Sequence, residues 1–91
     1  MKQIYCRTSL DLFNEDWPTH LPEIPREGEI IESKTKHGDF RLSLRVERVR
    51  WGYTHTGYVP IVELHDTHSR SIRGFYEWYA PLVGKSVGAF I

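Results

Sequence analysis

The clearest signal along the chain is a strict alternation of apolar and polar side chains. Phe40, Leu42, Leu44 and Val46 alternate with Arg41, Ser43, Arg45 and Glu47, which is the period of a strand with one buried face. After Val46 the apolar phase slips by one residue, to Val49, Trp51 and Tyr53. One extra residue near Glu47 and Arg48 produces such a slip, so the pattern predicts a β-bulge that bends a long strand. Thr54-His55-Thr56-Gly57 reads as a hairpin turn in which Gly57 supplies positive φ, and the chain returns as a strand over residues 58–65. Either Val62 and Leu64 or Val59 and Ile61 face inward; Pro60 places one end of this strand at an edge or a bulge.

Weaker patterns complete the order of elements. Residues 2–9 predict a first strand, with Ile4 and Cys6 alternating against Gln3, Tyr5 and Arg7. Residues 11–23 read as an acidic connection in which Pro18 and Pro22, with Pro25 just beyond, forbid a long helix. Leu12, Phe13 and Trp17 are its candidates for pinning onto the core. Pro25-Arg26-Glu27-Gly28 predicts a turn that launches a short strand over residues 29–33. Ile72, Phe75, Tyr76, Tyr79, Leu82 and Val83 recur at helical spacing, which predicts a short amphipathic helix capped by Ser69 or Ser71. Pro81 is expected to end its regular part near Tyr79, with Gly84 closing the final turn. Residues 85–91 read as a closing strand. The whole is a mainly β chain with one short helix, an α+β single domain over residues 1–91. The architecture expected is a small bent antiparallel barrel of the SH3-like kind; an OB-like barrel or an open antiparallel sheet packed on a helix is the alternative.

Composition narrows the chemistry. The 91 residues are 40% hydrophobic and 13% aromatic, with twelve basic and twelve acidic side chains. That is enough for one core and argues against a generally basic nucleic-acid protein. Neutrality conceals a split, however. Residues 1–33 carry three basic against seven acidic groups, and residues 34–91 carry nine against five. Cys6 is the only cysteine, so no internal disulfide or CxxC metal site forms, and Cys6 reads as a small core residue in a cytoplasmic protein. No apolar run approaches the length of a membrane span, and residues 1–7 lack the apolar stretch of a signal peptide.

The segment Leu21-Pro22-Glu23-Ile24-Pro25-Arg26-Glu27-Gly28-Glu29-Ile30-Ile31, followed by the strand from Val46 to Trp51, resembles small bacterial and prophage-type proteins. These share an LPxxPRxGExI motif and a long VxxVxW strand. The likeness covers roughly residues 21–64 and consists of turn and core positions. It therefore implies a small barrel and carries over no catalytic residue.

No catalytic constellation stands out. Neither Gly-x-Ser-x-Gly nor a complete phosphate-binding glycine loop is present, and Gly84-Lys85-Ser86 is read as a helix cap followed by a strand start. The carboxylates of residues 11–16 read as a solvated cluster without an apolar pocket. His65 and His68 can share a metal only with distant ligands, and are taken as solvated loop histidines; no metal or cofactor is expected. The chain is therefore expected to be a non-catalytic binding or accessory module, with a protein partner or self-association. The alternative is single-stranded nucleic-acid binding through a basic strand edged by aromatics. The candidate binding residues are Arg41, Arg45, Arg48, Arg50, Trp51, Tyr53 and Tyr58. Arg41 and Arg45 share a strand face in this reading, and the bulge lets Arg48 and Arg50 continue the row.

Overall fold

A computed structural model describes residues 1–68 and 70–91. Six strands precede one helix: β1 (Lys2–Gln3), β2 (Tyr5–Thr8), β3 (His20–Leu21), β4 (Ile30–Glu32), β5 (Ser43–Thr54), β6 (Gly57–Asp66) and α1 (Ile72–Leu82). A 3₁₀ turn over Val87–Ala89 follows. The chain is thus mainly β with one helix. Its principal sheet is a curled four-stranded half-barrel in the order β2-β6-β5-β4, and β1 pairs with β3 in a second, small sheet.

The long hairpin has the register that the alternation predicts. Val46 faces Leu64, the register then shifts between Val46 and Arg48, and Val49 faces Val62. Glu47 is the extra residue, so the bulge carries Leu44, Val46 and Val49 along one face in spite of the slip. On β6 this settles the inward set as Val62 and Leu64, both buried in the core cluster. Gly57 turns the hairpin at φ +106°.

Helix α1 packs Phe75, Tyr76, Tyr79 and Ala80 inward, against a core that includes Leu42, Leu44, Val46, Val62 and Leu64. Ser71 caps it by accepting from the Gly74 N–H at 3.0 Å, while Ser69 lies outside the described residues. Trp78, off the predicted stripe, is half-buried: Phe40 meets it edge-on at 5.2 Å and the Arg70 guanidinium covers it at 4.4 Å. Of the three candidates for pinning the acidic connection, Leu12 and Trp17 pack on the core, whereas the Phe13 ring lies under the Lys85 ammonium at 4.5 Å.

Four expectations are corrected. The sheet is mixed rather than wholly antiparallel, because β2 runs parallel to β6. The 9–29 connection carries the chain across to the far edge and starts β4 in the direction of β2. Two reversals, β4 to β5 to β6, then leave β6 parallel to its starting strand. The first strand is broken at Ile4, which is buried and whose N–H bonds to Thr19 C=O at 2.9 Å. The helix runs past Tyr79 to Leu82, since Pro81 in the last turn removes only one amide bond. Gly84, at φ +73°, closes that end. Finally, residues 85–91 form no described strand. The backbone closes on itself through Ala89 N–H to Ser86 C=O, and Phe90 stacks on Tyr76 at 4.9 Å. An aromatic stack on the helix replaces a place in the sheet.

Candidate functional site

The candidate residues divide between two faces of one ribbon. Trp51 pairs with Pro60 and Tyr53 with Tyr58, so these aromatics continue the face that carries Val46, Leu64 and Val62. Toward the helix that face is covered. Beyond Val49 and Val62 the ribbon outruns its cover, leaving Trp51 63%, Tyr53 75% and Tyr58 70% exposed. Tyr53 and Tyr58 meet edge to face with ring centroids 5.3 Å apart. The inward phase of Trp51 and Tyr53 is therefore real, yet it leads out of the core.

The arginines lie on the other face. Arg45 is opposite His65 and half-buried. Arg48 and Arg50 donate through Nε to the same Glu63 oxygen, at 3.1 and 2.7 Å. Hydrogen bonds from Arg50 and then Arg48 hold the Glu63 carboxyl below its ordinary range. Arg7 adjoins Glu63 from β2, so a shallow, mixed-charge cleft of about 340 Å³ lies here. On the same face, opposite Arg50, Ile61 lies over Gly52, which has no side chain to obstruct it. Arg41 precedes β5 and is exposed in irregular chain, so strand parity does not place it with Arg45. The structure groups Trp51, Tyr53 and Tyr58 at one tip, groups Arg45, Arg48 and Arg50 behind it, and leaves Arg41 apart.

The histidines do not converge. His65 is half-buried on β6, and His68 is exposed with its Nδ1 2.9 Å from the Thr67 hydroxyl. Among the described residues no group of three or more His, Cys, Asp or Glu is placed to hold a metal ion. Asp66 instead accepts from Arg70 Nε and backbone N–H at 3.1 and 3.2 Å. Desolvation pushes its carboxyl up, but those hydrogen bonds outweigh it and the pKa falls below the ordinary value. Cys6 is half-buried, its thiol donates to Pro18 C=O at 3.5 Å, and burial pushes it up to about 11.

One polar constellation had no signal in the sequence. Glu15, read as part of a solvated cluster, has a side chain only 2% exposed. Its carboxylate accepts from His37 Nε2 at 2.9 Å, Ser33 Oγ at 3.1 Å and the Tyr79 hydroxyl at 3.3 Å. Burial is the main cause that pushes the Tyr79 phenol up to about 12, keeping it a donor. The same hydroxyl accepts from Phe13 N–H at 3.1 Å, and Tyr76 takes the N–H of Asp11. These bonds fasten the acidic connection to the helix. Every partner is satisfied and the carboxylate itself is buried, which suits a fastening better than a reacting centre. Neither a family model, a curated protein nor a solved structure matches the chain. Among the described residues no helix is long and apolar enough to cross a membrane.

Proposed function

We propose that the chain is a non-catalytic interaction module that holds a protein partner at the tip of its long hairpin. The observation that carries this reading is the uncovered aromatic surface of Trp51, Tyr53 and Tyr58. Large aromatics are costly to leave in water, and they supply much of the binding energy where they are buried at interfaces. The nucleic-acid alternative has less support, because its cations and its stacking rings lie on opposite faces and Glu63 already pairs with two of the arginines. A cytoplasmic setting accompanies the proposal, since Cys6 is a free thiol.

Site-specific photo-crosslinking from position 58, in the cells that express the protein, tests it. One covalent product is expected from position 58 and none from the exposed helix position Glu77, with the product lost in Trp51→Ala. Equal labelling from both positions, or a product indifferent to Trp51→Ala, would falsify the reading. If the product is a second copy of the chain, light scattering will show a dimer that Trp51→Ala dissociates. Binding of a single-stranded oligonucleotide that falls steeply with salt and is lost on replacing Arg45 and Arg48 would transfer the function to the other face.

A further inference from the structure

The edge of the principal sheet offers a second surface, separate from the hairpin tip. β4 is the outermost strand, held by β5 on one side. Ser33 N–H bonds to Leu42 C=O at 2.7 Å, and Val46 N–H bonds to Glu29 C=O at 2.8 Å. These bonds set the alternation of the ladder: Ile31, Ser33 and the Glu29 carbonyl face β5, the Glu29 N–H turns back to Arg26 C=O at 3.2 Å, and Ile30 and Glu32 turn their backbone groups away. The chain's own segment over residues 18–25 runs beside this edge without closing it. It is anchored near one end by Lys34 N–H to Asp16 C=O at 2.8 Å, and its Pro18, Pro22 and Pro25 have no N–H to offer. No hydrogen bond to another described group takes up the outward backbone of Ile30 or Glu32.

Between this segment and the edge lies a groove of about 500 Å³, lined by the apolar side chains of Leu21, Ile24 and Ile30. Three exposed carboxylates, Glu23, Glu29 and Glu32, border it against one cation, Lys34. An open strand edge, an apolar slot and a surplus of negative charge therefore coincide within one short stretch of chain.

We infer that the groove receives an extended segment of another protein, carrying alternate apolar and basic side chains, as an added strand on β4. Ile30 and Glu32 present two N–H and two C=O groups to the incoming backbone, which supplies affinity without regard to sequence. The apolar lining takes every second side chain, and the glutamates select Lys or Arg among the others. A second copy of the chain is the wrong occupant on charge grounds. Two β4 edges brought together place like carboxylates against each other, which disfavours self-pairing.

The test is selection of random peptides of about nine residues by the intact protein, then titration of the selected peptides into isotope-labelled protein. Selected sequences are expected to alternate apolar with Lys or Arg residues, to shift the amides of Ile30–Glu32 and to slow hydrogen exchange at Ile30 and Glu32. Affinity is expected to fall about tenfold or more in the double variant Glu23→Lys, Glu32→Lys, whose thermal unfolding should match wild type because both side chains are exposed. N-methylation of alternate peptide amides should have a similar effect. Failure to select any peptide overturns the proposal, as does binding indifferent to these changes or shifts confined to Trp51, Tyr53 and Tyr58. A concentration-dependent dimer with Ile30 and Glu32 amides protected assigns the edge to a second copy and overturns it too.

Discussion

Replacing Glu15 with alanine should be among the most damaging polar substitutions in this protein. Its buried carboxylate accepts three hydrogen bonds, from His37, Ser33 and Tyr79. When it is removed, the Tyr79 hydroxyl can turn to Phe13 C=O, 3.4 Å away. Ser33 keeps the bond its oxygen accepts from Thr35 N–H at 3.1 Å but loses its own acceptor. His37 Nε2 has no alternative acceptor among the hydrogen bonds described. Two donors orphaned at about 1–3 kcal/mol each give a loss of about 2–6 kcal/mol. For a domain of this size that is a large part of the roughly 5–14 kcal/mol available. Asp16→Ala is the control: the neighbouring side chain is 69% exposed, and its ion pair with Lys34 at 3.5 Å lies in water, so a change within about 0.5 kcal/mol is expected. Urea denaturation at unchanged m-value measures both, and a shift of about 1–3 M in midpoint separates them. His37→Ala should cost less, about 1–2 kcal/mol, because the carboxylate keeps two donors. Unfolding of Glu15→Ala and Asp16→Ala at the same urea concentration would refute a fastening role for Glu15.

Gly52→Ala should destabilise by about 1–3 kcal/mol, because a methyl group there meets Ile61 Cδ1 and the isoleucine must change rotamer; thermal melts should show the loss relieved in an Ile61→Ala background. The lowered pKa of Asp66 stabilises the fold fully above the unfolded carboxyl pKa of about 4. That contribution disappears as pH falls through the folded value, so wild type and Asp66→Asn should converge in melting temperature on acidification; a constant gap down to strongly acid pH would refute the assignment. With its thiol pushed up to about 11, Cys6 is expected to hold only about one thiolate in a thousand at pH 8. It should therefore react with an aromatic disulfide reagent far more slowly than free cysteine, and equal rates would show that the thiol is not desolvated.

Much of the fold is local and was legible in the chain. The slip from Val46 to Val49 marks the bulge, Gly57 marks the turn, and Ser71 with the Phe75, Tyr76 and Tyr79 spacing marks the helix, because each depends on neighbours a few residues away. The ends were less legible. Residues 85–91 obey partners outside their own segment: Tyr76 captures Phe90 and so decides against a last strand, while Pro81 fails to end the helix because in the last turn it removes only one amide bond. The site was half legible. Periodicity places Trp51 and Tyr53 on the inward face, and charge counting finds the arginines, yet neither tells that the helix stops short of the tip or that Glu63 pairs with Arg48 and Arg50.

By itself, then, the sequence determined which residues alternate, where the chain turns, where a strand must bend and which helix face is apolar. Those are properties of bond geometry and side-chain period. Tertiary structure alone decided that β2 lies parallel to β6, that the β4 edge remains open beside a proline-rich segment, and that Glu15 is buried while Asp16 is not. Exposure depends on what covers a residue, and the covering atoms here come from distant segments, as in the bond from Phe13 N–H to Tyr79, 66 positions away. Two adjacent acidic residues carry the same local signal; only the packing around them makes one a fastening and leaves the other in water.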